Sequence, residues 1–187
     1  MTAALVSCRL GLDSLTFQAQ VANLHRRNNS FAKNKAPTDF VEVTLPGRLM
    51  QPPIAVNTVE RSQADWSTPE RAAGSILSAN MAGDVPWIIE SYVPAERDAA
   101  RRQLSDSMAA QRNLDYFRNL GQVDIFCRTE VRGFAVLLLR GVDPDGDVTF
   151  LTMVLAKTGS GWRQTNSLAD DDTFDLVQTA ARTGGVH

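Results

Sequence analysis

From residue 66 onward, apolar and polar positions follow a helical period first and a strand period afterwards. Ala72, Ala73, Ile76, Leu77, Asn80 and Met81 recur at three- and four-residue spacing, which places them on one face of a helix. Ahead of them, Ser67-Thr68-Pro69-Glu70 has the Ser-x-x-Glu form of a capping box. Its proline sits in the first turn, where a missing N–H loses no intrahelical partner, and Gly83 ends the run. A short second helix is predicted from about Asp84 to Tyr92, with Trp87, Ile88 and Tyr92 available for burial. Pro94 opens a third, charged helix that continues, whole or broken, through Leu114, Phe117 and Leu120 to Gly121.

The period then shortens to that of strands. Val123–Val131 alternates loosely, whereas Phe134–Val142 is a dense apolar run that predicts a strand covered on both faces. Asp143-Pro144-Asp145-Gly146-Asp147 is a turn by composition, and Val148–Lys157 is the returning strand. Gly159-Ser160-Gly161 makes a second turn before a last strand, Trp162–Asn166. The acids Asp170, Asp171 and Asp172 then favour the start of a short closing helix.

The first third is less regular. Phe40–Leu45 alternates like a short strand that Pro46-Gly47 is expected to stop, and Gln51–Val56, with two prolines, must be extended. Leu10, Leu12, Leu15, Phe17, Val21 and Leu24 keep no clean period, and His25–Ser30 reads as solvated loop. Residues 1–65 are therefore expected to form an extended N-terminal arm partly draped on the domain 66–187, being too poor in apolar clusters to bury a core alone.

Composition narrows the classes. The 187 residues are 43% hydrophobic and 21% charged, which suits a globular chain and excludes disorder throughout. No run approaches eighteen apolar residues, so no transmembrane helix is predicted. The net charge of −2 divides unevenly: residues 1–48 carry +3 and the remainder −5. The predicted domain is thus the acidic part, which argues against a nucleic-acid partner. Cys8 and Cys127 fit no metal-ligand spacing, and Cys127, inside a strand pattern, reads as a buried thiol. Leu5-Val6-Ser7-Cys8 matches the form of a lipoprotein cleavage site, but the residues before it lack a basic start and an apolar core. The expected location is the periplasm or envelope if Cys8 belongs to a longer lipoprotein signal, and the cytoplasm otherwise.

Helices followed by an antiparallel meander resemble the nuclear transport factor 2-like superfamily, the cystatin-like cone fold shared with ketosteroid isomerases. Three pieces carry the likeness: Thr68-Pro69-Glu70 running to Asp84, the hairpin Phe134–Lys157, and Gly161-Trp162-Arg163 followed by Thr165-Asn166. The resemblance covers about residues 66–180. It implies an α+β fold in which helices pack into a curved antiparallel sheet, with a pocket at the open end of the cone and pairing of two copies through the sheet's outer face. Many bacterial members are exported or lipid-anchored, in line with the signal at Cys8.

The residue inventory limits the chemistry. The only histidines are His25 and His187, so a Ser–His or Cys–His nucleophilic site inside the domain lacks its base. Gly159-Ser160-Gly161 has no helix behind it to hold a phosphate. The Asp143–Asp147 turn lacks the closing glutamate of a calcium loop. Neither a metal nor a cofactor is predicted, and no catalytic residue is assigned. The candidate ligand-contacting residues are Trp87, Tyr92, Tyr116, Arg140, Gln164 and Asn166, polar or amphipathic positions on otherwise apolar elements. The leading reading is a non-enzymatic binding module, associated with the envelope, with an apolar pocket for a small ligand or a protein partner. The alternative is a cofactor-free isomerase or dehydratase of the ketosteroid-isomerase type, which needs a desolvated carboxylate of raised pKa. A third reading is a structural subunit whose pocket is filled by its own side chains, such as Trp162 or Phe150.

Overall fold

The computed structural model describes residues 13–26 and 28–187. Among these, six strands form one antiparallel sheet in sequential order: β1 (Asp13–Gln20), β2 (Phe40–Ala55), β3 (Gln122–Val131), β4 (Phe134–Val142), β5 (Val148–Thr158) and β6 (Gly161–Gln164). Four helices lie between β2 and β3: α1 (Pro69–Ala82), α2 (Val85–Ser91), α3 (Arg97–Leu104) and α4 (Ser107–Arg118). The fifth, α5 (Asp172–Thr183), follows the last strand. The class is α+β. No helix among the described residues is long and apolar enough to cross a membrane.

Strand β4 explains the layering. Its alternate residues Ala135, Leu137 and Leu139 enter a core with Ile76 and Leu77 of α1, while Val136 and Leu138 enter a second core with Phe174, Val177 and Ala180 of α5. The dense apolar run is therefore covered on both faces, as its composition predicts. Strand β3 serves both cores through a register shift between Ile125 and Cys127. These two residues would share a face in a regular strand, yet Ile125 packs under α1 and Cys127 under α5. Burial pushes the Cys127 thiol up to about 12. Cys8 lies outside the described residues.

The stretch expected to be an arm supplies two strands. Phe40–Gly47 pairs with β1, and from Gly47 the same strand pairs with β3 on its other side. Pro46-Gly47 does not stop the strand; it marks the change of partner. A Cβ on Gly47 would stand 2.7 Å from the Arg128 carbonyl, so the glycine lets β3 approach. The connection after β1 is fastened to α5 by Asp175, a carboxylate only 4% exposed that accepts from the His25 and Arg26 N–H groups and from Asn29 Nδ2. His25, expected in a solvated loop, thus lies against α5, where Arg182 Nη2 stands 2.7 Å from its Nδ1.

Helix starts also differ in detail. The cap of α1 is Thr68, whose hydroxyl accepts from the Arg71 N–H, and the expected Ser67–Glu70 box does not form. Ser67 instead donates its N–H to Asp65, and Glu70 pairs with Arg48 and Arg128. The long charged helix breaks at Asp106, which caps α4. The closing helix is capped by Asp171.

Gly161 holds the β5–β6 turn against the loop before α1. It has φ +105°, and a Cβ there would lie 2.4 Å from the Trp66 carbonyl that accepts from the Trp162 N–H. Gly161→Ala is expected to destabilise the protein by about 2–4 kcal/mol, combining left-handed strain with displacement of Trp66. Gly133→Ala, at φ +82° with open space around it, is expected to cost only about 1–2 kcal/mol. Urea unfolding of both variants checks the difference.

Candidate functional site

The six candidate residues fall into three places. Val93 N–H donates to the Gln164 carbonyl at 2.9 Å, tying the end of β6 to the segment after α2. That contact brings Gln164 Nε2 to 3.3 Å from the Tyr92 hydroxyl. Next to it, Glu96 accepts from the Thr165 hydroxyl at 2.6 Å and from the Asn166 N–H at 2.9 Å. Asn166 lies beyond β6, which ends at Gln164 and not at residue 166. Trp87 packs behind Tyr92 in one apolar cluster, 3% exposed, and its indole N–H finds no partner among the described residues. Burial, with the Glu96 carboxylate adding to it, raises the Tyr92 phenol above its ordinary value.

Tyr116 and Arg140 have other partners. Tyr116 stands exposed on α4, its ring edge-on to Phe117 at 5.2 Å. Arg140 pairs across the strands with Asp124 at 3.4 Å. The structure therefore brings Trp87, Tyr92, Gln164 and Asn166 to one corner and leaves the other two apart. Packing in that corner is tight: Trp66 and Leu104 fill in around Trp87.

An open cleft lies elsewhere, between α1 and the segment that follows β2. Two buried serines on α1 dock that segment. Ser75 Oγ accepts from the Asp65 N–H at 2.8 Å, and Ser78 Oγ accepts from the Val59 N–H at 2.9 Å. Gly74, just before Ser75 and one turn before Ser78, has no side chain to fill the gap. What remains is a cleft of about 300 Å³ with Ile54, Val56 and Val59 on its apolar wall. Asp65, Glu70 and Arg71 stand at its polar side. The volume is at the lower end of the range for small-molecule sites.

The charges at the cleft are internally matched. Asp65 pairs with Arg71 at 2.6 Å, and Glu70 lies 3.3 Å from Arg128 and 3.4 Å from Arg48. Hydrogen bonds from Ser67, and then from Arg71, hold the Asp65 carboxyl down at about 2 against an ordinary 3.8. Its proton is therefore lost well below neutrality, the opposite of an acid poised for proton transfer. Among the described residues no group of three or more His, Cys, Asp or Glu side chains is arranged to hold a metal ion.

Sequence reading missed Trp66 and Arg163. The Arg163 guanidinium lies over the Trp66 ring, 4.0 Å from its centroid, and is almost wholly buried. Burial, with the nearby Arg97 charge, lowers its pKa. Trp66 precedes the helix cap in a segment of no regular period, so only the folded contact reveals it. The small residues Gly74, Ser75 and Ser78 on one side of α1 were the available sign of the cleft.

Comparison of the chain with protein-family models, with curated proteins and with solved structures finds no match.

Because the folded pKa of Asp65 is depressed, the stabilisation from its hydrogen bonds with Ser67 and Arg71 is present above the unfolded value near 3.8 and is lost as pH falls through about 2. Carboxyl NMR titration is expected to show Asp65 titrating near 2, with a rise toward 3.8 in both Ser67→Ala and Arg71→Ala.

Proposed function

We propose that the protein is a non-enzymatic binding module that takes a small, largely apolar ligand in the cleft between α1 and residues 54–65. The cleft itself carries this reading. Ile54, Val56 and Val59 offer the ligand an apolar wall, and the absent side chain at Gly74 leaves depth for it. The Asp65–Arg71 pair at the mouth offers polar groups that orient without reacting. Burial of a ligand of this size against such a wall gains about 25 cal/mol for each Å² of apolar surface removed from water.

The isomerase reading asks for a carboxylate of raised pKa beside a second donor. Asp65, at the mouth of the cleft, moves the other way. That observation favours binding over proton transfer. The reading of the fold as the nuclear transport factor 2-like cone belongs to the same proposal. The order of helices before the meander supports it; the β1–β2 pair ahead of those helices and α5 on the far face of the sheet are additions to the minimal pattern. Envelope association, resting on the Cys8 context, and pairing of two copies through their sheets complete the proposal.

A Cβ at Gly74 would make only ordinary contacts, at 3.5 Å with the Asn57 carbonyl and 3.8 Å with Val56, so the position accepts a side chain on the cleft lining. Gly74→Leu is expected to keep the fold, gain about 1 kcal/mol of helix propensity and lose ligand binding at least tenfold. Native mass spectrometry of protein from its own host, together with fluorescence of an anilinonaphthalene sulfonate probe, checks this. A wild-type protein that retains no small molecule and binds the probe no better than Gly74→Leu would refute the reading.

A further inference from the structure

We infer that two copies of this chain join edge to edge through the first half of β5, residues 148–152, and make one continuous sheet. The inference rests on the proposed pairing of copies but places it at a sheet edge and not at the face, on which α5 packs, and it is independent of the ligand cleft.

Sheet edges expose backbone donors and acceptors, and proteins usually cover or blunt them. Here the outer edge of β1 is taken up by the chain's own end. Thr16 exchanges backbone hydrogen bonds with His187, and the Gln18 N–H donates to the Gly185 carbonyl. The short edge strand β6 donates from Trp162 to the Trp66 carbonyl and accepts at Gln164 from Val93. Strand β5 differs. It pairs with β4 from Val148 to Leu155 but meets β6 only from Leu155 to Thr158. Among the described residues no strand lies beside Val148–Thr152 on its outer side.

The direction of the free groups follows from the ladder. The Val154 carbonyl points outward, since it accepts from the Thr165 N–H at 3.1 Å beyond the end of β6. Alternate residues share that direction in an antiparallel strand. Val148, Phe150 and Thr152 therefore turn their N–H and C=O groups to the open edge. Their side chains lie on the α5 face: Thr152 accepts from Gln178 of that helix at 2.7 Å, while Val148 is 51% and Phe150 37% exposed. The Phe150 ring packs edge-on against Phe126 at 5.9 Å. No charged residue occurs from Val148 to Ala156, so the edge lacks the lysine or proline that commonly blocks pairing.

This pattern fits a second copy. The outward residues are symmetric about Phe150. A twofold axis there sets Val148 opposite Thr152 of the other copy, Phe150 opposite its equivalent, and Thr152 opposite Val148. Each is a hydrogen-bonded pair that exchanges two bonds, so every free group between Val148 and Thr152 is satisfied on both copies. The open slot ends where Thr165 reaches Val154. It is as long as the strand that fills it, and the Asp143–Asp147 turn ends the incoming strand before it meets the other copy's β6. The two Phe150 rings then meet as a cross-strand aromatic pair.

Sedimentation of the full chain, with Phe150→Lys and Val148→Pro beside it, tests the inference. A proline at Val148 removes an outward N–H at the strand start and leaves the bonds to β4 intact. Wild type is expected at twice the 20.5 kDa chain mass. Both variants are expected at the single-chain mass with unchanged circular dichroism, and dilution of wild type should speed hydrogen exchange at the Phe150 amide. A wild type that stays at the single-chain mass up to near-millimolar concentration overturns the pairing altogether while leaving the cleft reading untouched. A dimer that survives both substitutions overturns the edge and moves the contact to another surface.

Discussion

Strand β4 must be buried on both sides at once, and the rest of the architecture follows from that demand. A buried leucine or valine contributes about 1.5–3 kcal/mol. Exposing either face of Ala135–Leu139 would therefore forfeit an amount comparable with the whole stability margin of a domain this size. One helical layer cannot satisfy the strand. The chain responds by sending α1 across one face before the central strands form and α5 across the other after β6. The β3 register shift belongs to the same solution, because it gives Ile125 to the first core and Cys127 to the second. It also turns Arg128 toward α1, where Glu70 meets it.

How the sequence could be read depended on where each element finds its partner. Strands β4 and β5 and the turn between them were legible because a hairpin pairs near neighbours, and Phe134–Leu139 is too apolar for any exposed place. Helix α1 was legible from its period. Strand β1 was not legible, and β2 only in part, as the short strand Phe40–Leu45 and the extended Gln51–Val56, because their partners lie in distant residues: Gly47 looks like a stop until β3 is placed 2.7 Å from its missing side chain. Likewise Ser67 looks like a cap until Asp65 takes its N–H. The corner of Tyr92 and Gln164 was partly legible as amphipathic positions, but nothing local joins a residue after α2 to one at the end of β6. The cleft was missed for the same reason. It exists only because Ser75 and Ser78 dock a segment ten and nineteen residues before them in the chain.

Polar groups in this protein mostly bind chain to chain. Asp175 is the clearest case, a buried carboxylate satisfied by two backbone N–H groups and one side-chain amide from the connection between β1 and β2. A buried acid without such donors would be expelled or protonated. Asp65 does similar work at the cleft, and its lowered pKa is the mark of the hydrogen bonds it takes from Ser67 and Arg71. The charged groups nearest the apolar wall are thus already engaged, which leaves the wall itself as the part free to meet a ligand.

The same habit explains why the sheet ends with an open edge. From Gly161 the last strand runs for only four residues, because Glu96 captures the Thr165 hydroxyl and the Asn166 N–H and bends the chain off the sheet toward α5. Had β6 continued in register, it would have covered Phe150 and Val148. Glu96 is itself placed by the turn after α2, whose Val93 N–H holds Gln164. The contact that fixes the Tyr92 corner therefore also sets the length of β6, and the length of β6 decides how much of β5 is left without a neighbour.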